Sequence, residues 1–281
     1  SLNILMKNLL INILSKSGIA GFLRQRENSK GNYVALFHGI HRKRFTDLPS
    51  SAQDEFTVEQ FEAVLDWLGE RFKFLSPEEL LNPKIKGGVL ITFDDGFRNN
   101  LYNALPILER RAVPSLFFIS TQHIIEPRKW LWFSKERALS HWDSIADVPE
   151  KMAKELYDGL SLNELKEMAN SDYVHIGAHT VSHPDLPTLN RIEAENEIVS
   201  SKTYLAEQLQ CPIDYFAYPR GFHNEDIVAI CKKHFEAAFA VDVCDQSNFV
   251  IPRVSLHSDG NSYLDVKFSP LHKRNFRRNG N

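Results

Sequence analysis

Between residues 33 and 255 the sequence alternates. Seven short runs of apolar and β-branched residues (33–37, 89–93, 115–119, 174–178, 215–218, 237–241 and 251–255) stand between longer stretches, of which 58–68, 100–110, 191–209 and 225–235 show helical periodicity. Runs of this length are strands, and the helical stretches are long enough to carry the chain back to the start of a neighbouring parallel strand. The runs are mostly apolar on both sides, so the sheet they build is covered on both faces. The pattern predicts an α/β fold whose parallel sheet closes as a barrel of β/α units.

The longest interval without a strand signal, 121–173, exceeds the span of a bare loop. Ser161 stands three residues before Glu164, the spacing of a capping box, which predicts a helix over 161–169 and a helical insertion over one rim of the sheet. Trp130, Trp132, Phe133 and Trp142 of this interval either fill the insertion's own core or stack on a sugar ring, and Trp132 is the candidate for the second role. The chain then divides into an N-terminal amphipathic helix within 1–30, a barrel over 31–265 with its insertion at about 121–173, and a basic C-terminal tail, 266–281.

In the first segment Leu2, Leu5, Met6, Leu9, Leu10, Ile13 and Leu14 share one stripe of a helix. Lys7, Asn8, Asn12 and Lys16 break the run too often for a signal-peptide core or a membrane span. Residues 1–26 and 267–281 carry basic side chains and no acid, although the whole chain has a net charge of −3. An acidic body with two basic arms argues against a nucleic-acid partner. The arms suit packing on the domain or peripheral contact with an anionic membrane. Cys211, Cys231 and Cys244 are odd in number and lack metal-ligand spacing, which favours reduced thiols and a cytoplasmic setting, including the inner face of the membrane. A leader removed ahead of residue 1 would instead place the protein in the periplasm or at the cell surface.

Two segments at predicted strand ends carry the chemistry. One is Thr92-Phe93-Asp94-Asp95-Gly96 and the other His179-Thr180-Val181-Ser182-His183. Adjacent side chains at a strand end point in different directions, so one carboxylate can bind a metal while the other faces a substrate. Two histidines four apart meet on one side of a turn and offer neutral imidazole nitrogens to a metal such as zinc. One Asp and two His make an open three-ligand site. A metal there lowers the pKa of water, leaving the spare Asp to take a proton as water attacks a carbonyl. Singly, each segment has a plainer reading, since Asp-Asp-Gly is a common turn and paired histidines are common on surface helices or in core hydrogen bonds. Their joint placement at the ends of parallel strands favours the metal site.

These segments resemble the first two motifs of the polysaccharide deacetylases, the NodB-homology family also called carbohydrate esterase family four, and the likeness covers roughly residues 33–257. The resemblance implies a distorted seven-stranded β/α barrel, in line with the strand count. It implies Asp94 as general base and a divalent metal, most often zinc, held by Asp95, His179 and His183. The products would be acetate and a free amine on an amino sugar. The family's third motif, Arg-x-Pro-aromatic-Gly, departs here to Ala217-Tyr218-Pro219-Arg220-Gly221, a form closer to deacetylases of biofilm N-acetylglucosamine polymers. The Tyr218 backbone N–H is then expected to help hold the tetrahedral oxyanion, and the arginine that orients Asp94 must come from elsewhere. Arg253 is the candidate, beside its reading as an exposed charge at a strand start. The acid that protonates the leaving amine is His257, loosely matching the family's last motif, or His38. The Phe37-His38-Gly39-Ile40 segment resembles the Tyr-His-x-Val opening of the biofilm branch; a structural hydrogen bond is the other reading of His38.

The leading expectation is therefore metal-dependent removal of an N-acetyl group from an amino sugar of a surface glycan or its precursor. Its rivals are removal of a formyl or other acyl group, and a non-catalytic glycan-binding barrel, which the departure at the third motif suggests.

Overall fold

The computed structural model describes residues 31–49, 52–53, 55–241, 247–256, 264–269 and 277–278. The helix expected within residues 1–30, Cys244, His257 and most of the basic tail lie outside the described residues. Seven strands, β1 (Gly31–Phe37), β2 (Gly88–Phe93), β3 (Ser115–Ile119), β4 (Val174–Ala178), β5 (Tyr215–Ala217), β6 (Ala237–Val241) and β7 (Ile251–Ser255), pair in parallel in chain order. Both β2 and β7 pair with β1, which closes the barrel. The closure is uneven. β1 and β2 are in register from Tyr33 opposite Val89 to Phe37 opposite Phe93, whereas β4 and β5 meet only where Ala178 lies opposite Phe216. Two-residue bridges join Ile40–His41 to Phe56–Thr57 and Lys73–Phe74 to the start of β2, too short for periodicity to reveal.

Alternation along the strands separates two cores. Val34, Leu90, Leu116, Phe118, Ala217, Phe239 and Ile251 fill the barrel, while Tyr33, Ala35, Val89, Ile91, Phe117, Phe216 and Ala238 face the helices. Burial on both sides is why the runs read as continuously apolar. The interior is crowded enough to dictate one glycine: a Cβ at Gly177 would lie 2.6 Å from the Phe118 ring and 3.0 Å from the Tyr215 carbonyl oxygen.

Ten helices surround the strands among the described residues. In the order of the chain the first are α1 (Val58–Gly69), α2 (Pro77–Leu81) and α3 (Leu105–Arg110), followed by α4 (Thr121–Ile125), α5 (Trp132–Leu139), α6 (Glu150–Leu156) and α7 (Leu162–Ala169) between β3 and β4. The last are α8 (Arg191–Leu209), α9 (Glu225–His234) and the single turn α10 (Leu264–Lys267). In α1 a Thr57–Gln60 capping box fixes the first turn, and Phe61, Val64, Leu65 and Leu68 form the buried stripe. Each such side chain contributes about 1.5–3 kcal/mol on burial, and Phe61 stands edge-on to Phe37 of β1, with ring centroids 5.1 Å apart. The stretch expected as one helix over 100–110 starts as a π-helical turn, Asn100–Ala104, because Pro106 lacks the N–H that would continue an α-helical ladder. The helices α4 to α7 form the insertion, and the capping box at Ser161 and Glu164 opens α7. Trp130 belongs to its small core with Leu48, Ala138, Val148, Leu156 and Tyr157, and its indole N–H donates to Asp158 at 2.7 Å.

Candidate active site

The inward parity of the strands continues past their apolar residues and delivers polar ones to the barrel mouth. Val34 and Leu36 lead to His38, Leu90 and Thr92 to Asp94, and Ile251 to Arg253 and then Ser255, each two residues on. A cleft of about 340 Å³ opens there, lined among others by His38, Glu55, Asp94, Asp95, Trp132, Arg137, His183 and Arg220. It lies at the C-terminal ends of the strands, as sites of β/α barrels do.

Arg253 is fully buried, which excludes its reading as an exposed charge. Its Nη1 donates to Asp94 Oδ1 at 2.6 Å and its Nη2 to Oδ2 at 2.8 Å, a bidentate fork that fixes the carboxylate plane. Burial pushes the Asp94 carboxyl up, but the Arg253 guanidinium outweighs it and holds the group down at about 2. Asp94 is thus an ionised, oriented acceptor whose position two other strands share.

Next to it, Asp95, His179 and His183 bring one ligand atom each within 4.8 Å of one another. His179 Nε2 and His183 Nε2 both stand 3.6 Å from Asp95 Oδ1, with all three residues buried. His179 Nδ1 lies 2.8 Å from the Ala217 carbonyl oxygen, so the proton belongs on that nitrogen and the Nε2 lone pair faces Asp95. Both carboxylate oxygens of Asp95 are buried without a hydrogen-bond partner. Burial above all, with the charge of Asp94 adding, pushes the Asp95 carboxyl up to about 7. Burial, reinforced by the neighbouring His179, brings His183 down to about 3, and burial lowers His179 as well. An orphaned buried carboxylate facing two neutral imidazoles is a donor set that suits a divalent cation with nitrogen and oxygen ligands, zinc among them.

Strained backbone and anchored loops hold this set. Asp95 and Gly96 both have φ of +78°, and Thr180, His183 and Arg220 are also left-handed at +67°, +59° and +57°. The Asp95 carbonyl is held by buried His123 Nδ1 at 3.1 Å. Glu197 of α8 accepts from the N–H groups of Val181 and Ser182 at 2.9 Å each and from the Ser182 hydroxyl at 2.8 Å, pinning the loop between the two histidines.

The remaining expected residues fall as follows. His38 lines the cleft beside Glu55, a residue with no periodic signal in the sequence. Arg137 of α5 donates to Glu55 at 2.9 Å across 82 positions of chain, and Arg137 shares a helix face with Phe133, which also lines the cleft. Trp132 lies on the cleft and is 42% exposed, unlike Trp130. Tyr218 is a correction. Its N–H donates to the Phe239 carbonyl at 3.0 Å, its ring is buried and its hydroxyl donates to the Phe249 carbonyl at 2.8 Å, because pairing with β6 continues one residue beyond β5. As placed, Tyr218 offers neither an oxyanion donor nor a sugar contact, and Arg220, two residues later, lines the cleft instead. His257 lies outside the described residues.

Residues 81–235 match the sequence profile of the family described as polysaccharide deacetylase. The poly-beta-1,6-N-acetyl-D-glucosamine N-deacetylase of Staphylococcus aureus is 27% identical over 280 residues, spanning 90% of this chain and 87% of its own. Among solved structures, the Streptococcus pyogenes deacetylase PplD in complex with acetate superposes with a TM-score of 0.65 at 20% identity, over 84% of this chain and 97% of that one. IcaB from Ammonifex degensii does so with a TM-score of 0.63 at 23% identity, over 87% and 97%. At these identities the structural likeness shows a shared fold.

Proposed function

The chain belongs to the polysaccharide deacetylase family, and from that premise we propose that it hydrolyses the N-acetyl group of an amino sugar in a β-linked N-acetylglucosamine polymer or its precursor. The observation that carries this reading is the convergence, in one cleft, of an arginine-held carboxylate with a buried Asp-His-His donor set. The Staphylococcus aureus relative, named for its action on poly-β-1,6-N-acetylglucosamine, supports the substrate class.

In this reading Asp95, His179 and His183 would hold a divalent metal. Such an ion supplies Lewis-acid polarisation of the amide carbonyl and acidifies water. Asp94, whose carboxyl lies near 2, is ionised at neutral pH and so able to accept a proton. Asp94 orients the attacking water and takes its proton as the oxygen adds to the acetyl carbon. Arg253 keeps both Asp94 oxygens in place through the step. When the C–N bond breaks, the nitrogen leaves with a proton from His38, giving acetate and a free amine. Glu55 lines the cleft with His38, and Arg137 fixes Glu55. The reading as a non-catalytic barrel rested on a missing arginine beside the base; the bidentate contact of Arg253 with Asp94 supports the catalytic reading instead.

Acetate release from N-acetylglucosamine oligomers, followed with the metal-loaded wild type and Asp94→Asn, tests the proposal. Turnover by the wild type and a loss of at least about a hundredfold in Asp94→Asn is expected for a general base. Undiminished acetate release by Asp94→Asn would overturn the mechanism, and faster turnover of N-formyl than N-acetyl sugars would reassign the acyl group.

A further inference from the structure

The cleft of about 340 Å³ sits at the small end of ligand sites, roughly 300–1,000 Å³, so a polymer's flanking sugars must rest outside it. A second opening of about 560 Å³ is lined by Asp185, Thr188, Arg220, Phe222, His223 and Val241, and Arg220 and Val241 line both. The two openings therefore adjoin, with Arg220 and Val241 between them.

Arg220 is held there from several sides. Its Nη1 donates to both Asp185 carboxylate oxygens at 3.0 Å, and its guanidinium lies 5.4 Å from the Trp132 ring centre and 5.0 Å from that of Phe222. Its backbone is left-handed, φ +57°, and the following Gly221 is at +77°, so the chain turns sharply where the two openings adjoin. Among the described residues three aromatic side chains are more than two-fifths exposed: Tyr102, Trp132 and Phe222. Tyr102 is engaged by Arg98 over its ring and by Glu164 at its hydroxyl, away from the cleft. The other two flank Arg220. An exposed ring offers its face to the C–H face of a pyranose, and the planar Arg220–Asp185 pair offers donors and acceptors to the hydroxyls at that pyranose's edge.

We infer that Trp132, Arg220, Asp185 and Phe222 form a second sugar subsite, which binds the neighbouring residue of the glycan and makes the enzyme selective for chains over single sugars. This rests on the glycan reading of the cleft. The subsite accounts for an arginine at the usual aromatic position of the third motif: there it is braced by two rings between the two openings.

Binding separates this inference from the reading beneath it. Asp94→Asn protein, loaded with zinc, is titrated with N-acetylglucosamine and with its β-1,6-linked pentamer while Trp fluorescence is followed. The same titration is made with Phe222→Ala and Phe222→Trp added. The pentamer is expected to bind more tightly than the monomer. Phe222→Ala should raise the pentamer Kd about tenfold, with no change for the monomer, and Phe222→Trp should retain tight binding. Equal affinity for the two sugars, or a Phe222→Ala effect of the same size on both, overturns the subsite. Acetate release by the wild type is read in parallel: if turnover is absent but length-dependent binding persists, the subsite stands and the catalytic reading fails.

Discussion

Replacing Arg253 with Met removes the partner of a buried carboxylate. Both groups are secluded, with side-chain exposure of 0% for Arg253 and 5% for Asp94, so solvent compensates little for the two lost bonds. Two magnitudes bear on the cost. The drop of the Asp94 carboxyl from 3.8 to about 2 converts, at about 1.36 kcal/mol per pH unit, to roughly 2 kcal/mol. That figure is the net of the guanidinium's pull against burial's opposing push. Removing the guanidinium leaves the push unopposed, and breaking a buried pair costs about 3–5 kcal/mol, the value that applies here. The sign with pH follows. In the wild type the depressed carboxyl contributes stability that is full above about 4 and lost as pH falls through about 2. In Arg253→Met the carboxyl titrates above its ordinary value, so the loss is greatest at pH 7 and shrinks as acid neutralises the stranded charge. Urea unfolding of metal-depleted wild type, Arg253→Met, Asp94→Asn and the double variant at pH 7 and 4.5 measures this. The double variant, holding no unpaired buried charge, should recover most of the stability but none of the activity. A loss below about 1 kcal/mol for Arg253→Met at pH 7, or a double variant as unstable as the summed singles, would refute the argument.

Metal binding should release one proton per ion between pH 5 and 7, because Asp95 holds a proton below about 7 while burial keeps His183, at about 3, neutral already. Affinity should then fall about tenfold per pH unit below 6, as titration calorimetry in buffers of different ionisation enthalpy would show; pH-independent affinity contradicts it. Glu197→Ala frees the Val181–Ser182 loop and should weaken zinc binding about 10–100-fold in a competition with a fluorescent chelator. Unchanged affinity would show that the loop holds its shape without Glu197.

The barrel was legible because both faces of its strands are buried: Val34 and Leu90 inside and Tyr33 and Val89 outside leave an apolar run that no half-exposed strand produces. The metal ligands were legible as pairs local in sequence. Arg253 was within reach of the same logic, since Ile251 and Arg253 share the inward parity that Leu90 and Asp94 follow. Glu55 and Arg137 were not, because an ion pair between an irregular segment and an insertion helix has no local pattern. The Tyr218 role came from the resemblance at the third motif, although the run 215–218 already put its N–H in a strand, where it pairs with β6. The left-handed Arg220 was unreadable, since arginine carries no preference for that conformation.

The central claim is that a divalent metal held by Asp95, His179 and His183 is required for hydrolysis of an N-acetylated glycan. Acetate release from β-1,6-linked N-acetylglucosamine oligomers, measured before chelation, after chelation and after stoichiometric return of zinc, tests it most directly. Activity should vanish on chelation and return with one equivalent of metal. Acetate release that persists in fully metal-depleted protein, or that stays absent from protein carrying one equivalent, would contradict the account.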